Sequence, residues 1–252
     1  MRNTNITKLN SSQKFFRFEM KYIINEATSK MIQNEIKNFM IYDKFTNKEN
    51  HYFVRSLYFD NKLNSNFNEK VDGVRSRYKF RIRTYSRNLD SPIFLEMKGR
   101  ENSRTYKLRQ QIQSEYLELF YDKKRYFELK KIFPNSIFIE KFIFDNYKKN
   151  LNSNVLVDYN RTPFINKSGL YFRLTFDKNI KSLKNLKLFS NLSFKSWKEC
   201  IAGYTILEVK FDSSIPLWFH RIIQNYQLRL RSISKFVISA ETLGIASDFE
   251  GK

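Results

Sequence analysis

Short runs along the chain alternate strictly between apolar and charged residues. In FFRFEMKYII, Phe16, Phe18, Met20 and Tyr22 alternate with Arg17, Glu19 and Lys21. In RYKFRIRTY (77–85), Phe80 and Ile82 alternate with Lys79, Arg81 and Arg83. IFLEMKG sets Leu95 and Met97 against Phe94, Glu96 and Lys98. LYFRLTFD sets Phe172, Leu174 and Phe176 against Tyr171, Arg173, Thr175 and Asp177. ILEVKFD sets Leu207, Val209 and Phe211 against Glu208 and Lys210. A period of two predicts a strand with two unlike faces. VRSLYFD (54–60), VLVDYNR (155–161) and SKFVIS (234–239) also read as strands, being rich in β-branched and aromatic residues.

Helical spacing falls between these runs. Ala27–Met40 brings Met31, Ile32, Ile36, Phe39 and Met40 to one side. Ser114 reads as the N-cap of a helix carrying Leu117, Phe120 and Tyr121. Residues 137–150 and 216–227 are amphipathic, the second with Pro216 in its first turn, where the missing N–H costs nothing. The chain thus predicts about eight strands and four or five helices. With only 6 Gly and 4 Pro in 252 residues, it shows no linker. One domain is expected over 15–245, with a disordered tail at 1–14 and a short one at 246–252.

For any single strand, charged residues on one face are best explained by water. Five such strands are harder to explain that way, because rows of like charge repel. A second arrangement accommodates all of them: an α+β fold in which a closed antiparallel eight-stranded β-barrel turns its charged faces inward. The apolar faces then point outward under flanking helices. Eight strands leave a lumen wide enough for one narrow ligand. Unpaired buried cations are costly, so such a lumen needs carboxylates, water or a bound anion. Arginine forks suit phosphate oxygens, and carboxylates suit Mg²⁺ or Mn²⁺.

Composition sharpens this picture. Lys+Arg is 46 and Asp+Glu 25, a net charge of +21. That points to a polyanionic partner, although abundant Lys, Asn, Ile and Phe also fit an AT-rich genome. Cys200 is the single cysteine, which excludes an internal disulfide and a thiolate metal site and fits a reducing, cytoplasmic setting. His51 and His220 form no zinc-type pair. No run of about 18 apolar residues occurs, so no membrane span is expected. The polar start MRNTNITKLNSSQK has no apolar core of a secretory signal.

Read in order, FRFEMKY, RSLYFD (55–60), EKVDGVRSRYKFRIR (69–83), FLEMK (94–98), YNRTPF (159–164), YFRLTFD (171–177), LEVKF (207–211) and SKF (234–236) resemble the triphosphate tunnel superfamily. The similarity is greatest to its VTC branch, the polyphosphate polymerase domain, and covers about Phe15 to Leu243. The resemblance implies an eight-stranded tunnel in which ATP and a divalent metal, Mn²⁺ or Mg²⁺, extend inorganic polyphosphate. By motif it implies Arg81, Arg83, Arg161, Arg173 and Lys98 as the catalytic set. Lys21, Lys70, Lys210, Lys235 and Arg231 would bind phosphate, and Glu208 and Glu19 would hold metal. Lys79 falls where the motif varies.

Two departures stand out. Hydrolytic members of the superfamily open with E-x-E-x-K, and here the segment reads Arg17-x-Glu19-x-Lys21. A second lysine before SKF is replaced by Ser232, so its contact falls to Arg231 or is absent. The lack of an SPX-like regulatory region or membrane domain implies a soluble bacterial homologue. Two other readings remain: a metal-dependent triphosphatase, and a non-catalytic polyanion or nucleic-acid binder. The second is disfavoured because the aromatics alternate away from the cations rather than beside them.

Overall fold

The computed structural model describes residues 16–167, 171–189 and 196–248. The expected tail at 1–14 and all but residues 246–248 of the C-terminal tail lie outside them. Strand β1 (Arg17–Asn25) runs into helix α1 (Glu26–Ile36), followed by β2 (Met40–Tyr42), β3 (Tyr52–Asp60), α2 (Ser65–Val71), β4 (Ser76–Thr84), β5 (Ile93–Glu101) and β6 (Arg104–Ile112). After two 3-10 turns come α3 (Tyr126–Ile132), α4 (Ile137–Lys148), β7 (Asn152–Asn166), β8 (Phe172–Lys184), β9 (Lys198–Glu199), β10 (Tyr204–Phe211), α5 (Leu217–Asn225) and α6 (Lys235–Thr242).

Eight of these strands are hydrogen-bonded in a ring, all antiparallel, in the order β7, β3, β4, β5, β6, β1, β10, β8, with β8 pairing back to β7. The narrowest join is β1 to β6, where only Arg17 and Phe18 find partners. Period-two alternation then does what the sequence pattern requires. Phe80, Ile82, Leu95 and Met97 point outward and pack with Phe120, Tyr126, Leu129, Ile139 and Phe142 of the 3-10 turns, α3 and α4. On the other side, Leu174, Phe176, Leu207 and Val209 pack with Ile32 and Ile36 of α1 and Phe219 and Ile222 of α5. Each of these side chains contributes about 1.5–3 kcal/mol by leaving water.

Local chemistry explains the turns. Asn25 ends β1 and caps α1, its side chain accepting from the Thr28 N–H at 2.8 Å. With few glycines available, asparagines take most left-handed turn positions, including Asn102 (φ 53°) in the β5–β6 hairpin. Gly99 is required for another reason: a Cβ there would overlap the ring of Tyr106 on the facing strand.

Several expectations change. SKFVIS is not a strand but the start of α6. It sits against the inward face of the ring, where Phe236 and Ala240, one helical turn apart, pack with Val54, Tyr58, Val155, Val157 and Ile206. Burial on a curved inner wall selects i, i+4 spacing over the β-propensity of Val237 and Ile238. The first helix ends at Ile36, and Met40 belongs to β2. Ser114 is not an N-cap; it is the first residue of a 3-10 helix, Ser114–Phe120. Pro216 occupies the N-cap position of α5 rather than its first turn. Strands β2, β6 and β9 and helices α2 and α3 are additional to those expected.

Candidate phosphate-binding cavity

The inward face of the ring encloses a cavity of about 890 Å³. Its lining among the described residues holds sixteen lysines and arginines against four carboxylates. Two more carboxylates, Glu96 and Asp177, lie fully buried just behind the lining. The excess is still ten positive charges.

One wall is built on arginine. Direct cross-strand partners share a face, so the register Arg81↔Glu96↔Arg109 brings β4, β5 and β6 to one point. Glu96 Oε2 accepts from Arg81 Nε at 2.8 Å, and Oε1 accepts from Arg109 Nε at 2.8 Å. Arg83 Nη1 is 3.8 Å away. Burial alone would raise the Glu96 pKa, but Arg81, Arg83, Lys107 and Arg109 together hold it well below the usual range. Arg81 also donates to Tyr58 Oη at 3.2 Å, and Arg83 to Ser56 Oγ at 2.9 Å and Tyr159 Oη at 3.2 Å. A guanidinium has five N–H donors, so each arginine keeps donors for the cavity after these bonds.

The opposite wall is built on lysine. Glu19 and Glu208 lie on neighbouring strands, each facing a lysine across the β1–β10 ladder: Glu19↔Lys210 and Lys21↔Glu208. Lys21 and Lys98 pair with Glu19, Lys98 at 3.0 Å, and Lys210 pairs with Glu208 and reaches Glu19 at 4.0 Å. Lys98 donates to both Glu19 oxygens, at 3.0 and 3.1 Å, yet shares that carboxylate with Lys21. Burial pushes its pKa down to about 7, with Lys21 and Lys210 adding to the effect and Glu19 and Glu208 opposing it. Lys79 is also held well below the usual lysine range, by burial and by Lys98, Lys21, Lys70 and Arg81; its ammonium donates to Ser234 Oγ at 3.3 Å. Glu19 itself stays ionised. The three lysines outweigh burial and the neighbouring Glu208 and hold its pKa far below the usual range.

Asp177 anchors a third group. It takes Arg161 through two hydrogen bonds, at 2.6 and 2.7 Å, and Lys235 at 2.5 Å. Lys235 enters from the first turn of α6, not from a strand. Arg173 pairs with Asp43 at 2.9 Å. At the end near α6, Lys70 donates to Ser232 O and Oγ at 3.1 and 2.6 Å, and the Arg231 N–H donates to Lys21 O at 2.9 Å. Burial, Arg77, Lys21 and Arg100 bring the Lys70 pKa down to about 8.

All twelve residues singled out from sequence line this one cavity: Arg81, Arg83, Arg161, Arg173, Lys98, Lys21, Lys70, Lys210, Lys235, Arg231, Glu208 and Glu19. Sequence reasoning missed Glu96 and Asp177, the carboxylates that fix the arginines, and also Arg109, Tyr58, Tyr159 and Asp43. Glu96 and Asp177 lay on the correct alternating face, so their position was legible. Their role was not, because it needs the cross-strand partner.

The family model described as "VTC domain" matches residues 16–244. The fold is similar to that of a candidate adenylate cyclase from Bacillus halodurans, at 11% identity, covering 88% of this chain and 95% of that one, with a TM-score of 0.52. It is similar also to a candidate adenylyl cyclase from Hippeastrum described as having a dominant triphosphatase activity, at 10% identity, covering 91% and 96%, with a TM-score of 0.51. At these identities the likeness is one of fold. No curated protein matches the chain.

Proposed function

The chain belongs to the VTC domain family, and on that premise we propose that it is a polyphosphate polymerase, its strand ring forming a closed barrel that takes the triphosphate of ATP. The observation that carries this reading is the lining itself: ten excess positive charges around carboxylates that are each bound by cations. Such a lining suits a substrate that brings its own negative charge. Arg17 supports the same reading. Where hydrolytic relatives have a glutamate, it pairs with Asp212 at 3.3 Å.

In this mechanism Arg81, Arg83, Arg161 and Arg173 hold the triphosphate oxygens, pre-set by Glu96, Asp177 and Asp43 behind them. Lys21 and Lys98 neutralise the end of the growing chain. A terminal oxygen of that chain, already ionised, attacks the γ-phosphorus. One P–O bond forms, the bond to the β–γ bridging oxygen breaks, and ADP leaves with the electron pair. No general base is needed, so catalysis is alignment plus charge stabilisation. Lys70, Lys210, Lys235 and Arg231 bind the remaining phosphates.

The donor set fits a divalent cation: Glu208 and Glu19 are both ionised and converge on the Lys210 ammonium. Two carboxylates completed by phosphate oxygens and water suit Mg²⁺ or Mn²⁺. Bound there, the ion would supply further charge neutralisation to the triphosphate.

Purified protein given ATP and Mn²⁺ is expected to release ADP and build a phosphate polymer that resolves as a ladder on a gel. Free phosphate without polymer would transfer the assignment to a triphosphatase. Salt-sensitive nucleic-acid binding without turnover would make the chain a binding module.

A further inference from the structure

Registers around the ring give the cavity two unlike ends. Lys21, Lys70, Arg77, Arg100 and Arg231 gather at the end near α6. Arg173, Tyr171, Asp43 and Phe45 gather at the other. Phe45 is anomalous there. It is 72% exposed, the one exposed aromatic among the described residues lining the cavity. The other aromatics at that end are engaged. Tyr171 lies under the Arg17 guanidinium at 3.7 Å, Phe94 under Arg109 at 4.1 Å, and Tyr52 and Tyr85 pack edge to face at 5.7 Å.

Phe45 is also held in place. Asp43, mostly buried, donates its N–H to Pro163 O at 3.2 Å, and its Oδ1 accepts from the Phe45 N–H at 3.3 Å. Thr46 closes the turn by donating its N–H and hydroxyl to Asp43 O at 3.1 and 3.0 Å. The other carboxylate oxygen of Asp43 takes Arg173 at 2.9 Å. A single carboxylate therefore fixes both a cavity arginine and an unoccupied aromatic ring two residues further along. Among the described residues, Lys44 lies over that ring, 5.3 Å from its centre.

We infer that Phe45 is the stacking platform for the base of a nucleoside triphosphate, with Arg173 taking the phosphate nearest the sugar. The inference rests on the proposed triphosphate site and assigns the end by which the nucleotide enters. A flat apolar face beside an arginine recognises a ligand in which an aromatic base is tethered to phosphate. Stacking reads the π-face common to all bases, so the platform selects nucleotides over bare phosphate chains without distinguishing adenine from guanine.

The test is calorimetric titration of wild type, Phe45→Ala and Phe45→Trp with a non-hydrolysable ATP analogue and, separately, with tripolyphosphate, which has no base. Removing the ring is expected to weaken the ATP analogue by about tenfold, leave tripolyphosphate within about twofold, and leave the melting temperature unchanged because the ring is exposed. Phe45→Trp should hold the analogue at least as tightly as wild type. Equal losses for both ligands, or an unchanged affinity for the analogue, would overturn the platform while leaving the triphosphate site standing. Wild-type protein that binds neither ligand would remove the site and the platform together.

Discussion

The arginine wall and the lysine wall of the cavity meet the same physical problem in opposite ways. Both crowd cations in a buried space. On the arginine wall one deeply buried carboxylate, Glu96, receives Arg81 and Arg109 at 2.6–2.8 Å and draws in Arg83. Guanidinium stays charged in proteins, so this wall is a fixed positive surface. On the lysine wall Lys98 shares Glu19 with Lys21, and burial takes Lys98 down to about 7. That wall changes its charge with pH and with whatever anion arrives. The difference teaches that position in the ring sets how much positive charge gathers, while residue type sets whether it is permanent.

Breaking the arginine wall should have the largest effect. Glu96→Gln leaves the buried Arg81 and the half-buried Arg109 without their carboxylate, and removing one partner of a buried ion pair costs about 3–5 kcal/mol. The melting temperature is expected to fall by roughly 10 °C, read by thermal unfolding. A drop of only a degree or two would mean that the cations do not need Glu96. Arg83→Gln separates function from scaffold, since Arg83 leans on Ser56 and Tyr159 rather than closely on Glu96. Its kcat/KM is expected to fall about a hundredfold, as for loss of one preorganised donor, with little change in melting temperature.

The lysine wall should reveal itself through pH. A bound polyanion raises the pKa of Lys98, so binding takes up a proton wherever the free protein has released it. Below about 7 the free lysine is already protonated and affinity for tripolyphosphate is flat. Above that, affinity falls by up to about tenfold per pH unit until the pKa of the bound form is reached. Lys98→Arg should flatten the profile, and titration in buffers of different ionisation enthalpy measures the proton uptake directly. An unchanged slope in that variant would place the titrating group elsewhere. The smallest effect is expected at Lys79, whose pKa is lowered by burial and by the cations Lys98, Lys21, Lys70 and Arg81. Lys79→Met should raise the melting temperature by about 2–4 °C while weakening tripolyphosphate. Destabilisation there would mean that the ammonium is satisfied in the folded state.

Much of the cavity was legible before the structure. Alternation marked Lys21, Arg81, Arg83, Lys98, Arg173, Glu208 and Lys210 as sharing faces, and all line the interior. The strand β6 was not legible, because its apolar row of Tyr106, Leu108 and Ile112 is broken by Arg104 and Gln110, and only Ile112 is deeply buried. Arg109 and Lys107 were hidden with it. Helix α6 was misread for the opposite reason. Ser234–Ser239 is rich in β-branched residues, and local propensity outvoted a spacing that only the inner wall of the ring makes sense of.

By itself the sequence determined which residues lie on opposite faces of each strand, since successive side chains of a strand must point to opposite sides. It determined too that the charged faces were too many and too alike to be left to water. It could not determine which carboxylate meets which cation, because Glu96 finds Arg109, and Asp177 finds Lys235, only through register and through a helix folded back into the ring. The first encounter is set by the register of the β5–β6 hairpin, and the second joins residues far apart in the chain and is decided by the packing of α6 against the ring. Local chemistry fixed the staves, and tertiary closure decided where their charges meet.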